Sequence, residues 1–339
     1  MIRRVLAAAI LIAAAFTLLV AAWPQLFDLQ QTAIVAQVVS LRGLVAACAL
    51  LCIVILLLIA LASTAFRRFG ASLGLVLAVF VALSAVILAT RGFGDAAFQT
   101  RGDTDVTVLS WNTLGDAPGA EAIAKLALDT GADIVSLPET TSETAIAVAG
   151  LMKAGGHPMW AHTFHYDLIS KARSTSLLTS VDLGEYTVDT DHRTTNVLPT
   201  VVAKPADGTG PTIIAVHAVA PIPGQLNHWK LDLRWLADAC DGGNTIMAGD
   251  FNSTIDHFAG LSTKAGAVLG NCFDAALATT NAAVGTWPTV LPPLLGAPID
   301  HVMATSGWHV TGMRVIESND NSGSDHRPIV VQLSPRGGQ

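Results

Sequence analysis

Three stretches in the first third of the chain, at roughly 5–22, 43–63 and 71–90, are almost wholly apolar and carry no charge. About 20 such residues let a helix cross ~30 Å of hydrocarbon. A buried core helix would show a polar stripe, and these stretches show none. The pattern therefore predicts three transmembrane helices. The first stretch has a competing reading as the apolar part of a secretion signal. Arg3-Arg4 precede it, and Val20-Ala21-Ala22 could serve as a cleavage site.

Beyond residue 104 the pattern changes to short β-branched runs with helical spacings between some of them. Strands are predicted at Val106–Trp111, Ile134–Leu137, Ser176–Thr179, Thr200–Ala203 and Thr212–His217. Four more follow at Thr245–Ala248, Ile299–Ala304, Trp308–Val315 and Ile329–Leu333. Gly119–Thr130, with apolar residues at 123, 126 and 127, reads as a helix. So does Leu226–Ala239, with Trp229, Leu233 and Leu236 on one face. Gly155–Tyr166 and Thr289–Pro298 read as loops. Strands alternating with helices predict a layered α/β fold whose helices cover sheet faces.

Composition sharpens this division. The 339 residues are 51% hydrophobic and 13% charged, where a soluble domain carries about 25%. Only six of the 19 Lys/Arg and one of the 26 Asp/Glu precede Asp95. The remainder holds 13 basic and 25 acidic residues, a net charge of −12, with all ten His. The expected organisation is a membrane domain at 1–92, a linker at 93–104 and a catalytic domain at 105–335. Arg3-Arg4 and Arg67-Arg68 place their ends of the helices on the cytoplasmic side. Arg42, Arg91 and Arg101 weaken that bias. The acidic domain is then expected outside the cytoplasm. There Cys240 and Cys272 can form a disulfide, although spacing alone leaves the bridge open. Cys48 and Cys52, one turn apart in the second apolar run, read as packing residues.

Polar residues that suit phosphoester chemistry fall at the ends of the predicted strands. They are Asn112 after Ser110-Trp111, Glu139 after Leu137-Pro138, His217, Asp250 and Asn252 in Gly249-Asp250-Phe251-Asn252, Asp300 before His301, and Asp325-His326 in Ser324-Asp325-His326-Arg327-Pro328. Carboxylates, amides and imidazoles gathered at one rim are what metal-assisted phosphoester hydrolysis requires. Each alone has a plainer reading, since Asp after Gly is an ordinary turn residue. His157, His162 and His165 have a spacing that suggests a metal site, but they fall in a predicted loop and read as groove residues. Trp160 and Trp287 read as packing residues or stacking platforms.

Taken in order, these motifs resemble the endonuclease/exonuclease/phosphatase superfamily, across about 220 residues. The resemblance implies a four-layer α/β sandwich, two packed mixed sheets flanked by helices, preceded here by the three transmembrane helices. It implies Glu139 as principal ligand of Mg²⁺, with Mn²⁺ or Ca²⁺ as alternatives, and Asn112 and Asp325 on the metal side. It implies His217, Asp250, Asn252, Asp300 and His326 as the catalytic set, with Asp300 fixing the tautomer of His326. His301 lies where the superfamily varies and is left out. Leu114 stands where some members carry an acid, and Pro138 where the usual residue is Gln. The implied activity is hydrolysis of a phosphodiester in nucleic acid, nucleotide or phospholipid, with the bilayer as the other partner and no obligate protein partner. The net charge of −12 and the lack of a basic run argue against extended nucleic-acid binding. The competing class is an inactive membrane-tethered binding module on the same scaffold.

Overall fold

The computed structural model describes residues 1–64, 66–94, 96–241 and 243–337. Three helices are long and apolar enough to cross a membrane: α1 (Ile2–Ala22), α3 (Arg42–Ala62) and α4 (Arg67–Arg91). Their side chains are mostly exposed, as suits a lipid-facing surface. The loop between α1 and α3 holds a 3₁₀ turn at Pro24–Phe27 and the short helix α2 (Val35–Ser40).

The rest of the chain forms two six-stranded sheets. The first runs β11 (Trp308–Val315), β12 (Ile329–Pro335), β1 (Val106–Ser110), β2 (Ile134–Pro138), β4 (Ser174–Ser180), β3 (Met159–His165). The second runs β5 (Tyr186–Val188), β6 (Val201–Pro205), β7 (Thr212–His217), β8 (Thr245–Asp250), β10 (Asp300–Thr305), β9 (Cys272–Asp274). Each sheet is antiparallel except for one central parallel pair, β1 with β2 and β7 with β8. Antiparallel strands can turn back directly, but a parallel pair needs a crossover. Helix α5 (Gly119–Thr130) supplies the first and α7 (Leu226–Ala239) the second. Helix α6 (Ser142–Ala154) lies beside α5, and the short α8 (Ala275–Ala278) follows β9.

Alternate side chains of a strand point to opposite faces, and the cores follow that rule. Val106 and Val108 of β1 enter the core between the sheets, with Ile213, Ala215 and Ile246 from the second sheet. Leu109 faces the other way, onto Ile123 and Ala127 of α5 and Val148 of α6. Ile214 and Met247 meet Trp229, Leu233 and Leu236 of α7. The result is helices, sheet, sheet, helix: the expected four-layer sandwich. Both faces of the central strands are covered, so they read as mostly apolar runs.

Gly155–Tyr166 departs from expectation, because Met159–His165 is the edge strand β3 and not a loop. Only Met159 and Phe164 in it are buried, which leaves a mixed, His-bearing run with little apolar contrast. Cys240 and Cys272 are bonded, with their Cα atoms 5.9 Å apart.

The membrane helices meet the sandwich directly. Asp256, in the turn after β8, is paired with Arg42 of α3 (3.2 Å) and Arg91 of α4 (2.7 Å) and accepts a hydrogen bond from Gln25 (2.9 Å). His257 is hydrogen-bonded to the Ala36 carbonyl, and Gln31 donates to the His257 carbonyl. A Cβ on Gly43 would lie 1.9 Å from the Leu294 carbonyl oxygen, so only glycine allows α3 this approach. After α4 the backbone N–H of Gly94 donates to Thr280 and that of Gln99 to Thr311.

Candidate active site

The two parallel pairs set the position of the site. Loops after the carboxyl ends of parallel strands are where α/β sheets gather functional groups. Asn112 follows β1, Glu139 follows β2, His217 ends β7 and Asp250 ends β8. Register brings the remainder to the same rim. Asp300 opens β10 opposite Asp250, and His326 lies just before β12, whose Ile329 pairs with Ser110. The Ser136 hydroxyl donates to the Ala248 carbonyl (2.7 Å), linking the sheets just below this rim.

Local backbone geometry helps to aim these groups. Glu139 (φ 57°) and Asn252 (φ 46°) both sit in the left-handed region, which non-glycine residues seldom adopt and functional sites often hold. Gly249 has φ 152°, and a Cβ there would lie 2.0 Å from the Val216 carbonyl oxygen. The glycine of Gly-Asp-Phe-Asn thus lets β8 close on β7 one residue before Asp250.

Asp250 is the hub. Its Oδ1 accepts from the backbone of Asn252 (2.8 Å), and its Oδ2 accepts from the Asn252 and Asn112 amides (both 3.1 Å). The Asn112 amide also donates to Glu139 Oε1 (3.1 Å), joining the two carboxylates. His326 Nδ1 donates to Asp300 Oδ2 (2.8 Å), while its Nε2 lies 3.8 Å from Asp250 and 4.0 Å from Asp325. His217 Nε2 lies 3.8 Å from Glu139, and its Nδ1 is 3.5 Å from the Thr175 hydroxyl.

The two imidazoles are shifted in opposite directions. Burial alone would push His326 down, but Asp300 and Asp250 outweigh it and raise its pKa to about 10. His217 makes no hydrogen bond to a carboxylate, and burial lowers it to about 3, aided by the His326 charge. Burial also raises Asp250 to about 7, with Asp300 adding to the shift against the pull of His326. Glu139 is raised by burial as well, and Asp325 raises it further.

All eight residues singled out from sequence reach this rim, but they fall into two subsets. Asp250, Asp300 and His326 are the one His/Cys/Asp/Glu group among the described residues with ligand atoms all within 4.8 Å of one another. Within it, His326 is hydrogen-bonded to Asp300, and Asp250 is bound by the Asn112 and Asn252 amides. Glu139 and Asp325 lie outside it. The Asn112 side-chain oxygen accepts from the Leu114 backbone, so its amide nitrogen faces the site. A hard divalent cation nevertheless fits beside Glu139 and Asp325. Both supply hard oxygens, Asp325 raises the cost of ionising Glu139, and Asp325 Oδ1 is buried with no hydrogen-bond partner.

His301 is buried and bound to Asp274 and to the Ser253 carbonyl (2.8 Å each), a structural role. His162 and His165 lie on β3, outside this group. Trp287 is more than packing, because its indole N–H donates to Asp325 Oδ2 (2.8 Å). Ser324 also holds the rim together by donating to the Asn112 carbonyl (2.6 Å). Neither contact has a signal in the local sequence.

A profile described as the Endonuclease/Exonuclease/phosphatase family matches residues 109–326. No curated protein matches the chain. Among solved structures, an endonuclease/exonuclease/phosphatase from Beutenbergia cavernae DSM 12333 is similar at 19% identity. The match covers 69% of this chain and 72% of that one, with a TM-score of 0.51. D. rerio TDP2, solved with a single-strand DNA product, is similar at 17% identity over 68% of this chain and 100% of that one, with a TM-score of 0.50. At these identities the likeness is one of fold.

Proposed function

From the premise that the chain belongs to the endonuclease/exonuclease/phosphatase family, we propose that it is a membrane-anchored, divalent-metal-dependent phosphodiesterase with its site outside the cytoplasm. In this reading residues 1–92 anchor, 93–104 connect and 105–335 catalyse. The observation that carries it is the hydrogen-bonded pair of Asp300 and His326 with Asp250 beside it, at the same rim as His217, Glu139 and Asp325.

His326, held as an imidazolium by Asp300, places positive charge at the scissile phosphate. Asp250 takes a proton from the attacking water as its oxygen bonds to phosphorus. The P–O ester bond breaks, and the leaving oxygen takes the proton of His326 Nε2. Asp250 and His326 stand 3.8 Å apart, and the proton held by Asp250 returns to His326 through a water molecule, which restores the resting state. His217, neutral because it is buried, hydrogen-bonds a non-bridging oxygen without adding charge. Asn112 and Asn252 keep the Asp250 carboxylate oriented. A divalent cation at Glu139 and Asp325 supplies electrophilic stabilisation of the phosphate oxygens when bound.

The test is hydrolysis of bis-p-nitrophenyl phosphate by the full chain in detergent, with Mg²⁺ or Mn²⁺ and with chelator, beside His217→Ala. Chelator-sensitive turnover that His217→Ala loses supports the assignment. No turnover by a folded, metal-loaded chain refutes it and favours a binding module. Proteolysis of the domain in intact spheroplasts tests the sidedness, and full protection would reverse it.

A further inference from the structure

The place where the membrane helices meet the sandwich holds a groove that the chemistry above does not use. It consists of two adjoining cavities, about 250 Å³ and 540 Å³, that share Gln37, Pro221 and Ile222 as walls. Together they fall within the roughly 300–1,000 Å³ of small-molecule sites. One wall comes from the loop between the membrane helices, through Ile34, Val38 and Leu41. The other comes from the sandwich, through Pro221, Ile222 and Leu226. The Gln37 amide donates to the Pro221 carbonyl and ties the walls together.

The two ends of the groove are chemically different. The inner end is closed by Asn252 and Trp287. Asn252 donates to Asp250, and Trp287 donates to Asp325, so this end abuts the catalytic rim. The outer end is mostly apolar and is lined by Ile34 and Val38 from the segment that joins α1 to α3, the same side on which α4 ends. Trp23, Leu26 and Phe27 are exposed in the same loop, the kind of side chains that settle at a membrane surface. Ile34, at this end, has φ 71° and ψ −49°, a rare and strained conformation for a β-branched residue, yet it is 76% exposed. Ile222 opposite it is 54% exposed. The strain at Ile34 holds an apolar side chain at the groove mouth without burying it in the protein.

The groove is a built feature, because its walls are fixed to each other. Arg42 and Arg91 grip Asp256, and His257 is bonded to the Ala36 carbonyl at the start of α2. An apolar channel with one end at the membrane and the other at phosphoester chemistry fits a single-chain or diacyl amphiphile. A polyanion finds nothing to bind there.

We propose that this groove takes an alkyl chain of a membrane lipid and delivers its headgroup phosphodiester to the site. The proposal rests on the hydrolase reading above and assigns that site a lipid substrate class. The test uses the full chain in mixed dodecyl maltoside micelles with Mg²⁺ and three substrates: the methyl, octyl and hexadecyl esters of p-nitrophenyl phosphate. The scissile bond is the same in all three. Each buried methylene is worth about fourfold, so a groove that buries even about two of them beyond what the micelle offers should raise kcat/KM roughly tenfold or more from methyl to hexadecyl. Ile34→Asp combined with Ile222→Asp should abolish that rise and leave the methyl ester unchanged. If the pair also costs methyl-ester turnover, Ile222→Asn alone carries the same comparison.

Equal rates on all three esters, or a rise that the variant keeps, overturn the groove while the hydrolase reading stands. Plasmid cleavage without a chain-length response assigns the site to nucleic acid instead. A variant that halves the sedimenting mass makes the groove a seat for a second copy, and the lipid assignment falls. No turnover of any ester removes the hydrolase reading, and the proposal with it.

Discussion

The molecule buries charge in two places, and the two clusters are built differently. At the junction, one carboxylate meets two guanidiniums and an amide. Asp256, Arg42 and Arg91 are 5%, 3% and 13% exposed, and the opposite charges face one another directly. At the rim, four carboxylates (Glu139, Asp250, Asp300 and Asp325) surround a single imidazolium, and Asp300 Oδ1 and Asp325 Oδ1 have no hydrogen-bond partner. Desolvating a charge without pairing it is unfavourable. The junction satisfies that requirement internally and so reads as an attachment. The rim leaves negative charge and free acceptors in excess, which suits a site completed by a cation and a substrate. Burial of charge marks both clusters, and the balance of charge separates them.

The largest expected effect tests the junction. Asp256→Ala leaves two buried guanidiniums facing each other, a loss of about 3–5 kcal/mol in the stability of the full chain. Thermal unfolding in detergent reads this. Turnover of a soluble diester per folded molecule should stay unchanged, since Asp256 touches no rim residue. A stable Asp256→Ala chain, or one that folds but is inactive, would erase the distinction between the clusters.

The rim should respond in the opposite way. Glu139→Ala, through loss of the cation, and His326→Ala, through loss of the acid, should each lower kcat/KM on bis-p-nitrophenyl phosphate by about 100-fold or more. The melting temperature of Glu139→Ala should stay close to that of the parent, because it relieves crowded negative charge, whereas His326→Ala strips Asp300 of its partner and should lower it. Turnover near the parent rate in either variant would place the chemistry elsewhere.

A third expectation concerns completion of the rim. Mg²⁺ at about ten times its Kd should stabilise the full chain by about 1.4 kcal/mol, through binding to the folded state alone. The shift in melting temperature should vanish in Glu139→Ala and persist in Asp256→Ala. An equal shift in all three proteins would mean that the cation binds somewhere other than the rim.

The two clusters also differ in how far they could be read from the sequence. Each rim residue follows or opens a β-branched run, so strand ends and their order reveal Asn112, Glu139, His217, Asp250 and His326 together. The family resemblance added their roles. The junction has no such mark. Arg91 and Asp256 are 165 positions apart, and Asp256 sits in an unremarkable turn after Asp250-Phe251-Asn252. Its partners lie at helix ends, where Arg42 and Arg91 looked only like a weak exception to the charge bias. The edge strand β3 was hidden for a different reason. Trp160 is half exposed and both of its His side chains lie at or near the surface, so the apolar alternation that marks the inner strands is missing. The groove was illegible for the same reason as the junction, since its walls come from segments that meet only in the folded chain.

The smallest effect is a dependence on pH, and its sign follows from Asp256. Burial would raise this carboxyl, but Arg91 and Arg42 outweigh burial and hold it well below the ordinary carboxylate range. A depressed carboxyl contributes stability above its unfolded pKa of about 4 and loses it as pH falls toward the folded value. Between pH 7 and 5 both states keep the carboxylate ionised, and Asp256 adds no slope. Below about pH 4 the unfolded chain takes up a proton that the folded chain refuses, so stability falls, by about 1 kcal/mol at pH 3. The readout is the difference in melting temperature between the parent and Asp256→Asn at each pH. It should be constant from pH 7 to 5 and should narrow below pH 4, as the parent loses what the variant never had. A difference that stays constant down to pH 3 would mean that Asp256 is not ionised against its two arginines. The junction would then be held by the Gln25, Gln31 and His257 hydrogen bonds, and the contrast between a balanced and an unbalanced cluster would no longer describe this molecule.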